Sequence, residues 1–152
     1  MTAKEFLSYP EKLRKEIACD ADHLAALRSI VSDCTSHLSH AGGHGNPVSR
    51  RDRFENIVAE ISEAEARLDE KIRRLAEAEQ DALDVIRLVP LSESRSYLMM
   101  RFVKGMTPKE IGQEVHVGRA TVFRMQRDAL QAADCVLLQR EHGGRADEQT
   151  AG

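Results

Sequence analysis

The sequence predicts an all-α protein, and three observations carry that expectation. Charged residues make up 31% and aromatics 4% of the 152 residues, with no Trp. This balance, rich in Ala, Glu, Arg and Leu, suits long helices and fits a sheet poorly. Apolar residues recur at heptad spacing over two long stretches, the seam of a coiled coil. Near the C-terminus, two amphipathic segments follow each other across a tight turn, the pattern of a helix-turn-helix. The predicted architecture is an antiparallel helical hairpin over 1–89, a helix-turn-helix module over 90–140 and a disordered tail over 141–152.

The first helix is expected from about 11 to 39. Ile17, Leu24, Val31 and Leu38 repeat every seventh residue, with Leu13, Leu27 and Cys34 at the complementary spacing. Between 40 and 49, three glycines and Pro47 predict a flexible loop. A longer helix follows, with Ser49 as its expected cap and Asp52 in its first turn. Its seam is Phe54, Ile61, Leu68, Leu75, Ala82 and Val89, flanked by Ile57, Ala64, Ala78 and Val85. Lys71 occupies a seam position, where its stem can snorkel or its charge can disfavour a wrong register. Two such helices joined by a short loop fold back on each other. The surplus of the second, around 78–89, runs into the C-terminal module.

Past Pro90, Ser92 or Ser94 can cap a helix carrying Leu98, Met99, Phe102 and Val103, and Gly105 is placed to end it in a left-handed conformation. Thr107 caps the next helix, over 108–115. Pro108 fits its first position and Glu110 completes a Thr-x-x-Glu capping box. Ile111 and Val115 give it one apolar stripe.

The last helix, over 119–138, has two faces. Val122, Met125, Ala129, Ala132 and Ala133 fall on one side at 100° per residue. Arg119, Ala120, Phe123, Arg124 and Arg127 fall on the other, within an arc of about 140°. Three arginines and an exposed aromatic at the start of a steeply crossing second helix suit a DNA major groove. An arginine can fork onto guanine, and Phe123 can touch a thymine methyl or a sugar. A solvated basic face is the plainer alternative, and the capping box and tight turn favour DNA. Thr107, Lys109 and Thr121 flank helix N-termini and are candidate phosphate contacts. Further along, Leu130, Ala133, Val136 and Leu137 form a second stripe, able to pair with a neighbour or to pack back on the hairpin.

The run Leu98-Met-Met-Arg-Phe-Val-Lys-Gly-Met-Thr-Pro-Lys-Glu-Ile-Gly, with Thr121-Val122, resembles region four of the main bacterial sigma-factor family over about 81–133. The order of helices, Gly-rich loop and module resembles small phage-encoded transcriptional regulators of the ArpU/RinA kind over nearly the whole chain. Three positions depart from the sigma pattern. His116 stands where the turn usually has Gly, Gly118 where Ser or Thr usually caps the recognition helix, and Gly112 where Ala is common. Nothing resembles the sigma region that melts promoter DNA. The resemblance therefore implies a sequence-specific regulator, in a phage or prophage late-gene setting, rather than a full sigma factor.

Charge is distributed in the same sense: residues 1–92 hold 13 Lys/Arg against 17 Asp/Glu, and residues 93–140 hold 8 against 5. A basic module on an acidic arm is expected if only the module meets phosphate. Cys19, Cys34 and Cys135 are widely spaced and odd in number, which predicts reduced thiols. No apolar run predicts export or a membrane partner, so a cytoplasmic protein is expected.

Cys34, His37, His40 and His44 invite a zinc reading. Their spacing matches no familiar finger, and Cys34 occupies the heptad seam, so packing is favoured and no metal or cofactor is expected. The carboxylates Glu60, Glu63, Asp69 and Glu70 alternate with arginines as a solvated face does. No nucleophile–base pair, phosphate loop or acid pair suggests an enzyme. The expected partners are double-stranded DNA, RNA polymerase and further copies of the chain, as a homodimer or higher oligomer. Two alternatives stand beside this reading: a DNA-packaging subunit like a small terminase, and a coiled-coil adaptor that binds RNA polymerase without reading DNA.

Overall fold

A computed structural model of the protein describes the backbone of residues 1–38 and 47–150, and the side chains of 1–36 and 49–144. Among the described residues there are five helices and no strand. They are α1 (Ala3–Leu38), α2 (Pro47–Leu88), α3 (Ser92–Leu98, continued by a π-helical turn over Met99–Val103), α4 (Pro108–Glu114) and α5 (Arg119–Thr150). The fold is all-α, as the heptads require. Residues 40–46 of the expected loop, and the side chains of His37, His40 and His44, lie outside the described residues.

The chain divides into two compact units, but not at the boundary expected near residue 90. One unit is Lys12–Leu75, and the other joins Met1–Glu11 to Ala76–Gly152. Both long helices contribute to each unit.

The unit of Lys12–Leu75 is an antiparallel helical pair: Asp20 pairs with Lys71, and Arg28, further along α1, with Glu65, earlier on α2. His23 Nε2 lies 3.7 Å from Glu60 Oε1, and Arg28 Nη2 lies 2.7 Å from Glu65 Oε1. These flank opposite sides of the seam and put Leu24 level with Ala64 and Leu27 level with Ile61. Leu24, Leu27 and Ala64 are buried there, with Ile57, Ile61 and Leu68 packed around them. Ser49 is not the cap of α2, which already starts at Pro47. Proline pre-sets the helical φ and lacks an N–H that the first turn would leave unused.

The other unit has the larger core. Leu7, Val85, Ile86, Val89, Tyr97, Leu98 and Ile111 are each no more than 1% exposed. The surplus turns of α2 supply Ala82 and Val85, as their heptad phase predicts, and Ile86, which lies outside that series. The start of α1 supplies Ala3 and Leu7, although the first helix is expected from the sequence only from about residue 11. Instead α1 begins at Ala3 and runs through Pro10. Its entry is a Thr-x-x-Glu box: Thr2 N–H donates to Glu5 Oε2 at 2.9 Å and Glu5 N–H to Thr2 Oγ1 at 3.3 Å. Ala3 N–H donates to Asp134 Oδ1 on α5 at 2.6 Å. The stripe of Ala133 and Val136, with Leu130 and Leu137 beside it, packs into this same cluster.

Two further boundaries differ from expectation. The residue before α3 is Leu91, in an extended conformation with no side-chain cap; Ser92 is already helical and Ser94 is buried. Arg95 reaches back instead, donating from Nη1 to Val89 O at 3.0 Å and satisfying a carbonyl just beyond the end of α2. Where a tail is expected from residue 141, α5 continues to Thr150. A Cβ on Gly143 or Gly144 would meet nothing within 4 Å. Each glycine costs about 1 kcal/mol of helix propensity. The surrounding Arg, Glu, Ala and Gln favour helix, and no proline interrupts them.

Candidate functional site

The π-helical turn ends as Gly105 demands. Lys104 N–H donates to Met99 O at 2.9 Å, Gly105 takes φ 70°, and Met106 N–H donates back to Met100 O at 3.0 Å. The chain then reaches Thr107, extended at ψ 158°. Its hydroxyl accepts from Glu110 N–H at 3.2 Å, while Thr107 N–H donates to Glu110 Oε2 at 3.0 Å. The capping box read from sequence is therefore closed from both sides, with Pro108 at the first helical position.

Helix α4 ends at Val115, and the turn into α5 is made by His116 at φ 56°, the one non-glycine residue with positive φ among those described. Val117 N–H donates to Gly112 O at 3.0 Å, and Val122 N–H to Gly118 O at 3.1 Å as α5 begins. The crossing is close because Gly112 has no side chain. A Cβ there would lie 3.0 Å from Val122 Cγ2 and 3.2 Å from Val117 O. Ile111 and Val122 are buried under the crossing.

Tyr97 braces α5 from the inside. Its hydroxyl donates to Gln126 Oε1 at 3.0 Å. Burial raises the phenol pKa above its ordinary value, opposed by the nearby Arg101 charge, so the ring holds its proton for this bond.

With Val122, Ala129 and Ala133 turned inward and Met125 and Ala132 packed beside them, the opposite face of α5 is free. Arg119, Ala120, Phe123, Arg124 and Arg127 are all exposed, as their helical phase predicts. Phe123 is 50% exposed, a high value for a large apolar ring. The Arg119 guanidinium sits 5.4 Å from the centre of that ring, a cation–π contact that holds both side chains at the head of the helix. Arg127 makes only a long contact, 3.8 Å from Asp128 Oδ1, with its side chain 75% exposed.

An open groove runs along this surface, lined by Pro108, Lys109, Gln113 and His116 from the α4 side and by Arg119 and Phe123 from α5, with Gly112 and Val122 at its floor. Lys109 thus joins Arg119 and Phe123 on one surface. Thr107 is exposed and Thr121 half-buried at the helix starts. Because the Thr107 oxygen already accepts from Glu110, its hydroxyl hydrogen is what it can offer an outside acceptor. Gln113 and His116 were not among the sequence-derived candidates. Their spacing from Lys109, at i+4 and i+7, is the helical signal that places them on the same face.

Glu114 and Asp128 are also exposed nearby, so the surface is basic but not uniformly so. Chemically it offers guanidinium and ammonium donors, one amide, one imidazole and one apolar ring. That is a set for binding an extended anionic partner. Among the described residues no group of three or more His, Cys, Asp or Glu gathers as a metal-ligand set. Also among them, no helix is long and apolar enough to cross a membrane. No family model, characterised protein or solved structure matches the chain.

Proposed function

We propose that the protein is a sequence-specific DNA-binding transcriptional regulator that reads the major groove with the first turns of α5. The carrying observation is the division of that helix: Val122 and Ala129 are buried, while Arg119, Phe123, Arg124 and Arg127 face outward beside Lys109. Arginine forks suit guanine edges, and the Phe123 ring suits a thymine methyl. Lys109, Thr107 and Thr121 would contact the phosphate backbone and set the register. The resemblance to sigma region four and to phage-encoded regulators supports a late-gene activator that also meets RNA polymerase. One helix-turn-helix buries about 600–1,000 Å² on DNA, which favours action as a homodimer on paired half-sites.

The test is a salt titration of binding to labelled DNA from the protein's genomic neighbourhood, with random DNA as competitor. Wild type is compared with an Arg124→Ala, Arg127→Ala double variant. Preference over random DNA, a steep salt slope and a loss of roughly 1–3 kcal/mol per base-reading arginine are expected. Absence of binding at about 50 mM salt, where phosphate contacts are strongest, overturns the reading in favour of a polymerase adaptor.

A further inference from the structure

Among the described residues, His116 is the one with a Cβ that the backbone holds at positive φ, at 56°. Glycine adopts this region freely and makes the same turn, whereas a Cβ is disfavoured there. The bond that closes the turn, from Val117 N–H to Gly112 O at 3.0 Å, uses backbone atoms only. The imidazole is exposed and, among the described residues, no hydrogen bond or ion pair engages it. The fold therefore tolerates the side chain without using it, and a strained residue of this kind points to a role outside the fold.

The position of the ring gives that role its chemistry. His116 lines the groove between α4 and α5, and the charged groups that face it there are Lys109 from α4 and Arg119 from α5. Both are cations, and no carboxylate lines the groove. Glu110 is turned back onto Thr107 N–H in the capping box. Glu114, one position past Gln113, stands about 100° round the helix from it. Neither α1, α2 nor α3 with its π-helical turn contributes to the lining. Arg119 is held beside Phe123 by their cation–π contact at 5.4 Å. The three nitrogen-bearing groups suit the phosphodiester strand that borders a major groove once α5 lies in it.

We propose that His116 is a proton-linked phosphate contact, gripping the DNA backbone more tightly as the imidazolium than as the neutral ring. The inference rests on the reading of α5 as the helix in the major groove and adds to it a control by pH. Histidine is the side chain whose charge changes between about pH 5 and 8. A phosphate oxygen beside the ring favours its charged form, so binding takes up a proton. The gain in affinity is greatest at low pH and is lost as pH rises through neutrality. Lysine and arginine stay charged over this range, so of the three groups only His116 responds.

Binding of the full chain to a labelled random-sequence DNA duplex, titrated with salt at about pH 6 and about pH 8, tests the inference. A phosphate contact needs no particular base sequence. Wild type should bind about three- to tenfold more tightly at the lower pH, with a salt slope steeper by up to about 0.9. His116→Gly removes the ring while keeping the turn, and His116→Asn keeps a polar side chain that tolerates positive φ. Each should lose both differences while circular dichroism shows the helices intact. His142→Gln, at an exposed position far along α5, should keep them. A wild type that binds the duplex equally at both pH values overturns the inference and leaves the DNA reading standing. So does a pH dependence that survives in His116→Gly and His116→Asn. Absence of binding at either pH, at about 50 mM salt, overturns the two together.

Discussion

Lys71 Nζ lies 2.6 Å from Asp20 Oδ2 and 3.6 Å from Glu16 Oε2. Asp20 occupies a heptad position that elsewhere holds Leu or Cys, and Lys71 one that elsewhere holds Ile, Ala or Val, so the two charges share a place in the seam of the helical pair. Their side chains remain 28% and 36% exposed, which keeps the cost of desolvation low. A single charge at such a position would be a defect. Together they form a polar layer that only one register satisfies.

The pair sets a pH dependence with a definite sign. The hydrogen bond to Asp20, with the charges of Asp20 and Glu16, raises the Lys71 pKa above its ordinary 10.5, against a smaller desolvation effect. A raised lysine pKa means the stabilisation is complete below the ordinary value and is lost as pH rises through the raised one. Lys71→Met should therefore lower the Tm at pH 7, and the gap from wild type should narrow above about pH 10.5. Asp20→Leu alone should also lower the Tm, whereas Asp20→Leu with Lys71→Leu should restore it, because apolar seam residues need no charge partner. A double variant less stable than both singles would contradict this account.

Leu7 provides the clearest test of how the chain divides. It is 1% exposed and packs in one cluster with Val85, Ile86 and Val136, far from it in sequence. Leu7→Ala should destabilise the unit containing the helix-turn-helix by about 2–5 kcal/mol, the usual range for a buried leucine. Hydrogen exchange read residue by residue should show the loss in α3 to α5. If protection falls only around Leu24 and Ala64, residues 1–11 do not belong where the packing puts them.

Gly112 sets two opposing effects against each other. An alanine there gains up to about 1 kcal/mol of helix propensity. Its Cβ would press on Val122 Cγ2 and on the carbonyl of Val117 at 3.0 and 3.2 Å, and overpacking of this kind costs about 1–3 kcal/mol. The carbonyl is backbone and Val122 is β-branched, so neither yields easily. Gly112→Ala should lose about 1 kcal/mol net, and adding Val122→Ala should cost less in that background than in wild type. Denaturant unfolding of the four proteins of the cycle measures the coupling directly.

What could be read from the residues alone tracks the range of the forces involved. The capping box of Thr107 and Glu110, the left-handed Gly105 and the inward stripe of Val122, Ala129 and Ala133 are local in sequence, and all were legible. The exposed set Arg119, Phe123, Arg124 and Arg127 followed from the same helical phase. The start of α1 lies ahead of the heptad series, which opens at Leu13, and only the Thr-x-x-Glu spacing of Thr2 and Glu5 points to it. The Asp134 carboxylate that accepts from Ala3 N–H is 131 positions away, and no local pattern announces it. Gln113 and His116 join the groove only where the α4–α5 turn brings the exposed face of α4 beside the start of α5, which the pattern of either helix alone does not give. The Asp20–Lys71 layer was half visible: Lys71 stood out in the seam, but its partner is identified only once the register is known.

His116 carries a conformational cost that glycine would remove. At φ 56° a residue with a Cβ is disfavoured by about 1–2 kcal/mol relative to glycine, although histidine tolerates the region better than most. The unfolded chain of a glycine variant is more flexible, which gives back part of the gain. His116→Gly should therefore stabilise by about 0.5–1 kcal/mol, while His116→Val, β-branched and unable to relax, should destabilise by about 1 kcal/mol or more. Thermal unfolding of the two variants separates the cases, since no other change at this position reverses sign with Cβ branching. A valine variant as stable as the glycine one would mean that the α4–α5 turn is not held at positive φ, and the close crossing at Gly112 would then need another cause.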